Sequence, residues 1–294
     1  MFSHRKELQY HAMPEAPNPL LAKRLQELIG GQYGELTVMN QYLFQGWNCR
    51  GPQKYKDMLL AIGTEEIGHV EMLATMVARL LEGAPVSVQE EAATDPAVGA
   101  VMGGMNPQHA IVSGLGATPT NSVGHPWSGY FVTSSGNLMA DFRANLNAET
   151  NGRLQAVRIW EMTQDPGVKD MLGFLIARDA MHQRQWLAAI AELEADGLEE
   201  MVAPGTFPES QQPQAPAFQF IDLSQGGNAR DGRWAKGPAP DGKGQFDYVA
   251  DPAPQGDIPQ LGAVDARIHG TRKTALGQMA GQVGAAVKRV VDAK

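Results

Sequence analysis

Residues 63–72 read GTEEIGHVEM, and residues 175–183 read LIARDAMHQ. Each run places a carboxylate three residues before a histidine: Glu66 before His69, and Asp179 before His182. Residues three apart on a helix share a face, so a single turn presents both side chains together. A lone glutamate on its own apolar stretch precedes each pair. Glu35 lies 31 residues before Glu66, and Glu149 lies 30 residues before Asp179. The spacing is an internal duplication of a metal-ligand pattern. Two divalent first-row metals held side by side need carboxylates to offset charge and to bridge, and one nitrogen each to fix orientation. A single Glu-x-x-His match is common and reads more often as a capped or salt-bridged pair. Two matches at equal spacing, each with its lone glutamate, point to ligands.

The residues around these positions are apolar at helical spacing. Leu21, Leu25, Leu28, Gln32, Glu35, Met39 and Tyr42 step by three and four, which predicts one helix over about 19–45. Gly30, Gly31 and Gly34 weaken that helix locally and permit close packing beside Glu35. Met58, Ile62, Glu66, His69, Leu73, Met76 and Leu80 predict a second helix over 52–83, opened by Pro52 and closed by Gly83. A third is expected over 134–163 with Leu138, Phe142, Glu149 and Ile159 on its inner stripe. A fourth, after the Asp165-Pro166-Gly167 turn, runs to about 196 with Leu175, Arg178, His182 and Trp186. Charged groups seldom face a core unless they are paired or bound to metal, which sets these acids and histidines apart from a solvated face.

Residues 84–133 are rich in Gly, Pro, Asn and Ser and show little period, so they predict a long crossover between the second and third helices. The fold class expected is all-α: a ferritin-like four-helix bundle with a long crossover and an irregular C-terminal extension. Its two parts are a bundle with an N-terminal arm over 1–200 and an extension over 201–294, expected to be ordered by docking on the body or on a neighbour. Aromatics in the extension, such as Phe218, Phe220, Trp234 and Tyr248, argue against a disordered linker. Residues 272–294 predict a short Ala-rich helix.

Composition removes other classes. A net charge of −8 leaves no basic surface for nucleic acid. No run approaches the 18 or so uninterrupted apolar residues of a membrane span. The opening MFSHRKELQY lacks the apolar core of a secretory signal, and the single cysteine, Cys49, forms no disulfide framework and suits a reducing, cytoplasmic setting.

Five residues read as metal ligands: Glu35, Glu66, His69, Glu149 and His182. Asp179 is one methylene shorter than Glu66 and reaches less far across a bundle. It is therefore expected behind the ligands, hydrogen-bonded to Arg178 or Arg153. Tyr42 lies two turns beyond Glu35 and is expected to bond near the metals or line the access path. His4, His11, His109, His125 and His269 fall outside the pattern and read as loop or interface histidines. Cys49 reads as an unreactive small residue.

Across most of its length the chain resembles the manganese catalases. The resemblance is carried by MFSHRKELQY, by GGQYGEL around Glu35, by GTEEIGHVEM, by the crossover run MGGMNPQH, by VTSSGNLMADFRANLNAET around Glu149, and by LIARDAMHQ. It implies two manganese ions per subunit and no haem, with Glu66 as the bridging carboxylate. It also implies disproportionation of hydrogen peroxide to oxygen and water, and a hexamer whose tails wrap neighbours. Where some members carry an arginine before the third-helix glutamate, this chain has Ala148. A calcium site of some members maps to Asp57, Asp222, Ser224 and Gly226, but the acid expected one turn after Asp57 is Ala61. The rival readings on the same bundle are a metal-storage protein and a di-iron oxidase, because ligand types barely separate manganese from iron.

Overall fold

The structure is a computed structural model that describes residues 4–84, 106–197, 209–223, 227–252, 257–260 and 262. It falls into two compact units, Met1–Phe207 and Pro208–Lys294.

The first unit is helical. Its elements are α1 (Pro19–Gly30), α2 (Glu35–Asn48), α3 (Gln53–Leu81), the short α4 (Pro107–Ile111), α5 (Leu138–Met162) and α6 (Pro166–Ala195). Helices α1, α5 and α6 each start at a side-chain cap. Asn18 accepts from the Leu21 amide ahead of Pro19, Asn137 from that of Ala140, and Asp165 from that of Val168 ahead of Pro166. Helix α3 ends just before Gly83, whose φ of 69° suits a residue without a side chain. Helix α2 packs along α3 and α5 along α6, with α1 against α3.

Two boundaries differ from the sequence expectation. The helix expected over 19–45 is two helices, because the backbone is extended at Gly31 (ψ 169°) and again at Gly34 (ψ 168°). Glu35 therefore opens α2 instead of lying mid-helix, and Gln32 is exposed in the break. The glycines are required by close approach. A Cβ on Gly30 would sit 2.2 Å from the Thr120 carbonyl oxygen of the crossover. The helix expected from 134 begins at Leu138, because Gly136 turns with φ 80° and Asn137 caps.

The core consists of two apolar clusters. One gathers Leu25, Leu28, Leu73, Leu80, Leu172 and Leu175, and the other gathers Val38, Tyr55, Ile62, Phe142, Trp186 and Leu193. Along every helix of the bundle the expected ligands fall between them: Glu35 between Ile29 and Val38, Glu66 and His69 between Ile62 and Leu73, Glu149 between Phe142 and Ala156, His182 between Leu175 and Trp186. The bundle has a polar waist between two dry ends. Each buried Leu or Phe contributes about 1.5–3 kcal/mol, and these ends offset the cost of burying the charges at the waist.

Within the crossover, residues 85–105 lie outside the described residues. From Asn106 onward the crossover is tied to the bundle by side chains. Gln26 of α1 donates to the carbonyls of Thr118 (2.5 Å) and Thr120 (2.7 Å), and Trp127 donates to Thr37 Oγ1 (3.0 Å). His109, expected on a loop or at an interface, is fully buried and bonds Gln26 Oε1 at 3.1 Å.

The second unit, expected to be irregular, contains α7 (Gln214–Phe218) and a small sheet of β1 (Gln219–Ile221), β2 (Gly237–Pro238) and β3 (Gln245–Val249) in the order β1-β3-β2. Strands β1 and β3 run parallel, with Phe220 opposite Tyr248, and β2 pairs antiparallel to β3. The Ala-rich helix expected over 272–294 lies outside the described residues.

Candidate metal centre

Four helices deliver the waist. Glu35 comes from the first turn of α2, Glu66 and His69 from one face of α3, Glu149 from α5 and His182 from α6, and all five are buried. They form two groups whose ligand atoms lie within 4.8 Å of one another: Glu35–Glu66–His69 and Glu66–Glu149–His182. Glu66 belongs to both. Its Oε2 lies 2.6 Å from His69 Nδ1 and its Oε1 lies 2.8 Å from His182 Nδ1. Glu35 Oε2 approaches His69 Nδ1 at 3.6 Å, and Glu149 Oε1 approaches His182 Nδ1 at 3.5 Å. Both imidazoles thus turn the same nitrogen inward, and their rings are 5.7 Å apart at 29°.

Charge is strongly coupled here. Burial, helped by the neighbouring Glu66, pushes the Glu35 carboxyl up to about 8. Burial likewise raises Glu149, against the pull of the neighbouring His182. Glu66 goes the other way: burial opposes its charge, but His69 and His182 hold its carboxyl well below the usual range. Burial also opposes charge on His182, yet Glu149, Glu65 and Glu66 together push it up to about 12. His69 is raised well above its ordinary value, with burial again opposing and Glu66 leading. A buried set of three carboxylates facing two imidazoles calls for positive charge at its centre. Glu66 Oε1 and His182 Nδ1 are buried and, despite their proximity, lack an aligned hydrogen bond. Inward lone pairs and an acid-rich donor set fit two hard-to-borderline divalent cations.

The residues expected behind the ligands divide. Tyr42 donates to Glu149 Oε1 at 2.6 Å, and its phenol is raised by burial and by Glu149. Asp179 is buried and its carboxyl is raised by burial and then by Glu35, Glu149 and Glu66. Its expected arginine partner is elsewhere. Arg178 grips Glu65 with Nε–Oε1 at 2.6 Å and a second bond of 3.0 Å. Consecutive residues on a helix point about 100° apart, so Arg178 and Asp179 cannot share a partner face. Arg153 has a buried Nε with no hydrogen bond.

Glu65 is the residue the sequence reading missed. It accepts from His182 Nε2 at 3.2 Å and faces His69 Nε2 at 3.7 Å. Its signal was present: Glu65 lies four residues before His69, the other helical neighbour spacing. Of the four calcium positions, Asp57 and Asp222 are among the described residues. Asp57 is exposed and accepts from Gln53 at 2.7 Å, Asp222 accepts from the Tyr248 hydroxyl, and Ser224 and Gly226 lie outside the described residues.

A helical bundle of ferritin-like architecture whose waist joins two carboxylate–imidazole groups through one glutamate defines the class. The comparisons narrow it. The family model for manganese-containing catalases matches residues 1–285. A manganese catalase from Bacillus subtilis is 57% identical over 271 residues, covering 92% of this chain and 98% of that protein. One from Lactiplantibacillus plantarum is 44% identical over 272 residues, with the same coverage of 92% and 98%. The crystal structure of a manganese catalase from Anabaena matches with a TM-score of 0.67 and 27% identity, covering 86% of this chain and all of that one. The chain belongs to the manganese catalase family, whose members are peroxide-decomposing oxidoreductases.

Proposed function

We propose that each subunit holds two manganese ions between Glu35, Glu66, His69, Glu149 and His182, with Glu66 bridging, and that the pair disproportionates hydrogen peroxide to oxygen and water. The observation that carries this reading is the sharing of Glu66 by two ligand groups, one oxygen to each imidazole. When bound, the manganese pair supplies two-electron exchange with peroxide by cycling between the divalent and trivalent states.

The protein's part is to position, to exclude water and to manage protons. Tyr42 fixes the Glu149 carboxylate by a charge-assisted hydrogen bond. The aromatic packing of Tyr42, Phe142 and Trp186, all fully buried, keeps bulk water from one side of the waist. Glu35 is the least buried of the three ligand carboxylates, with 9% of its side chain exposed against 1% for Glu66 and 3% for Glu149. It is therefore assigned to proton exchange with incoming peroxide. Ala148, buried beside Glu149, offers no charge to cover the site.

The reading extends to a homo-oligomer, a hexamer by resemblance, in the cytoplasm. Exposed aromatics such as the Phe44–Trp47 pair and Tyr130 support a partner surface. No helix of the described residues is long and apolar enough to cross a membrane.

The test uses apoprotein reconstituted in parallel with manganese and with iron on an oxygen electrode. Two manganese per chain and oxygen release without Soret absorption are expected. Oxygen release with iron alone, or none with either metal while ions accumulate in large number, rejects the reading in favour of an oxidase or a store. Removing residues 201–294 should lower the number of subunits per particle measured by light scattering, and an unchanged oligomer removes the wrapping role of the extension.

A further inference from the structure

Glu65 and Glu66 are sequence neighbours that bracket the same two imidazoles from opposite sides. Inside, Glu66 offers Oε2 to His69 Nδ1 and Oε1 to His182 Nδ1. Outside, Glu65 offers Oε1 to His69 Nε2 at 3.7 Å and Oε2 to His182 Nε2 at 3.2 Å. His69 Nε2 is buried with no hydrogen bond of its own, so Glu65 is the acceptor it faces. An imidazole that donates one ring N–H outward keeps the lone pair of the other nitrogen for a metal, and the outer carboxylate makes that nitrogen a stronger donor.

Glu65 is itself held. Arg178 of α6 grips both its oxygens, and Gln9 of the N-terminal arm donates to Oε1 at 2.8 Å. The arm is seated there by contact with the helix: a Cβ on Gly68 would lie 3.0 Å from Gln9 Oε1. An isolated surface glutamate would not draw a bidentate arginine from another helix and an amide from the arm onto one carboxylate. The geometry also differs from the usual arrangement of one outer partner per ligand histidine, because a single carboxylate serves both.

We infer that Glu65 is a positioning residue shared by the two metal sites, fixing the tautomer and aim of His69 and His182 together. The inference rests on the ligand assignment proposed above. Its consequence is specific: loss of Glu65 weakens both manganese positions at once, although Glu65 touches neither.

The experiment is manganese titration of wild-type, Glu65→Gln and Glu66→Ala apoproteins by calorimetry, with electron paramagnetic resonance of the loaded pair. Wild type binding two manganese and Glu66→Ala binding none test the ligand assignment by itself. Given those, Glu65→Gln is expected to bind both equivalents roughly 10–100-fold more weakly, the range for lost outer partners. The resonance signature of its loaded pair should also change. Wild-type affinity with an unchanged spectrum overturns the inference. Weakening of one equivalent only also overturns it, since that makes Glu65 the partner of His182 alone. If Glu65→Gln does not fold, Glu65→Asp decides. It keeps the charge but draws the carboxylate back from both rings, so weaker binding of both ions supports the shared role and unchanged binding rejects it.

Discussion

The two halves of the bundle carry one pattern and use it differently. In the first half Glu66 and His69 both reach the centre of the waist, and Glu66 belongs to both ligand groups. In the second half His182 reaches it, but Asp179, at the matching position, stands outside both ligand groups. One methylene separates the two acids. A duplicated sequence therefore builds an unequal site, with one carboxylate shared by both groups on α3 and a buried, proton-favouring acid on α6. The lone glutamates are unequal too: Glu35 begins a helix after a break, and Glu149 sits in the middle of a continuous one.

The largest effect should come from breaking the half that bridges. Glu66→Ala removes the one carboxylate common to both groups, so oxygen release should fall to that of the apoprotein and metal analysis should find neither manganese. Retention of two ions with full activity would show that the bridge lies elsewhere. Next in size is the support on the other half. Tyr42→Phe takes away the hydrogen bond to Glu149, and about a tenfold loss in manganese affinity is expected, measured by competition with a chelator. Equal affinity would mean that the tyrosine only fills space.

A third test uses pH on the apoprotein. Glu35 is pushed up to about 8 when folded, above its ordinary value, so folding favours its protonated form. That contribution is complete below about 4.5 and is lost as pH rises through 8. His182, pushed up to about 12, has the same sign: its contribution is complete below about 6.5 and declines above it. The apoprotein should therefore melt at lower temperature near pH 8 than near pH 6, by roughly 2–4 °C per kcal/mol for a domain of this size. Manganese should reverse the trend, because cations replace the protons. A melting temperature that rises with pH in the apoprotein contradicts the sign. The smallest effect is expected at Asp179→Asn. Two manganese should still bind, and the apoprotein should gain slightly in melting temperature from loss of a buried acid. A missing ion in this variant would promote Asp179 to a ligand and make the halves equal after all.

Much of this was legible in the sequence, and for physical reasons. Helical spacing alone put Glu66 with His69 and marked the helical stretches that carry the site, because period is a local property. What was not legible depended on a second element. The crossover lies on Gly30, a contact between residues 90 apart that no local period announces. Arg178 was matched to the wrong acid because its true partner, Glu65, lies on α3. Strands of two to five residues in the second unit carry too little alternation to announce a sheet.

The break before Glu35 also governs how the chain can change length. In a continuous helix, one inserted residue turns everything beyond it by about 100°, and an insertion in α1 would swing Glu35 away from His69. Here the path leaves helical geometry at Gly31 and re-enters it at Gly34, so the angular phase of α1 is not passed on to α2. Alterations within α1 can be absorbed in the intervening turn. A single residue added between Glu35 and Tyr42 has no such slack, and would move either the ligand or the hydroxyl that steadies its counterpart on α5.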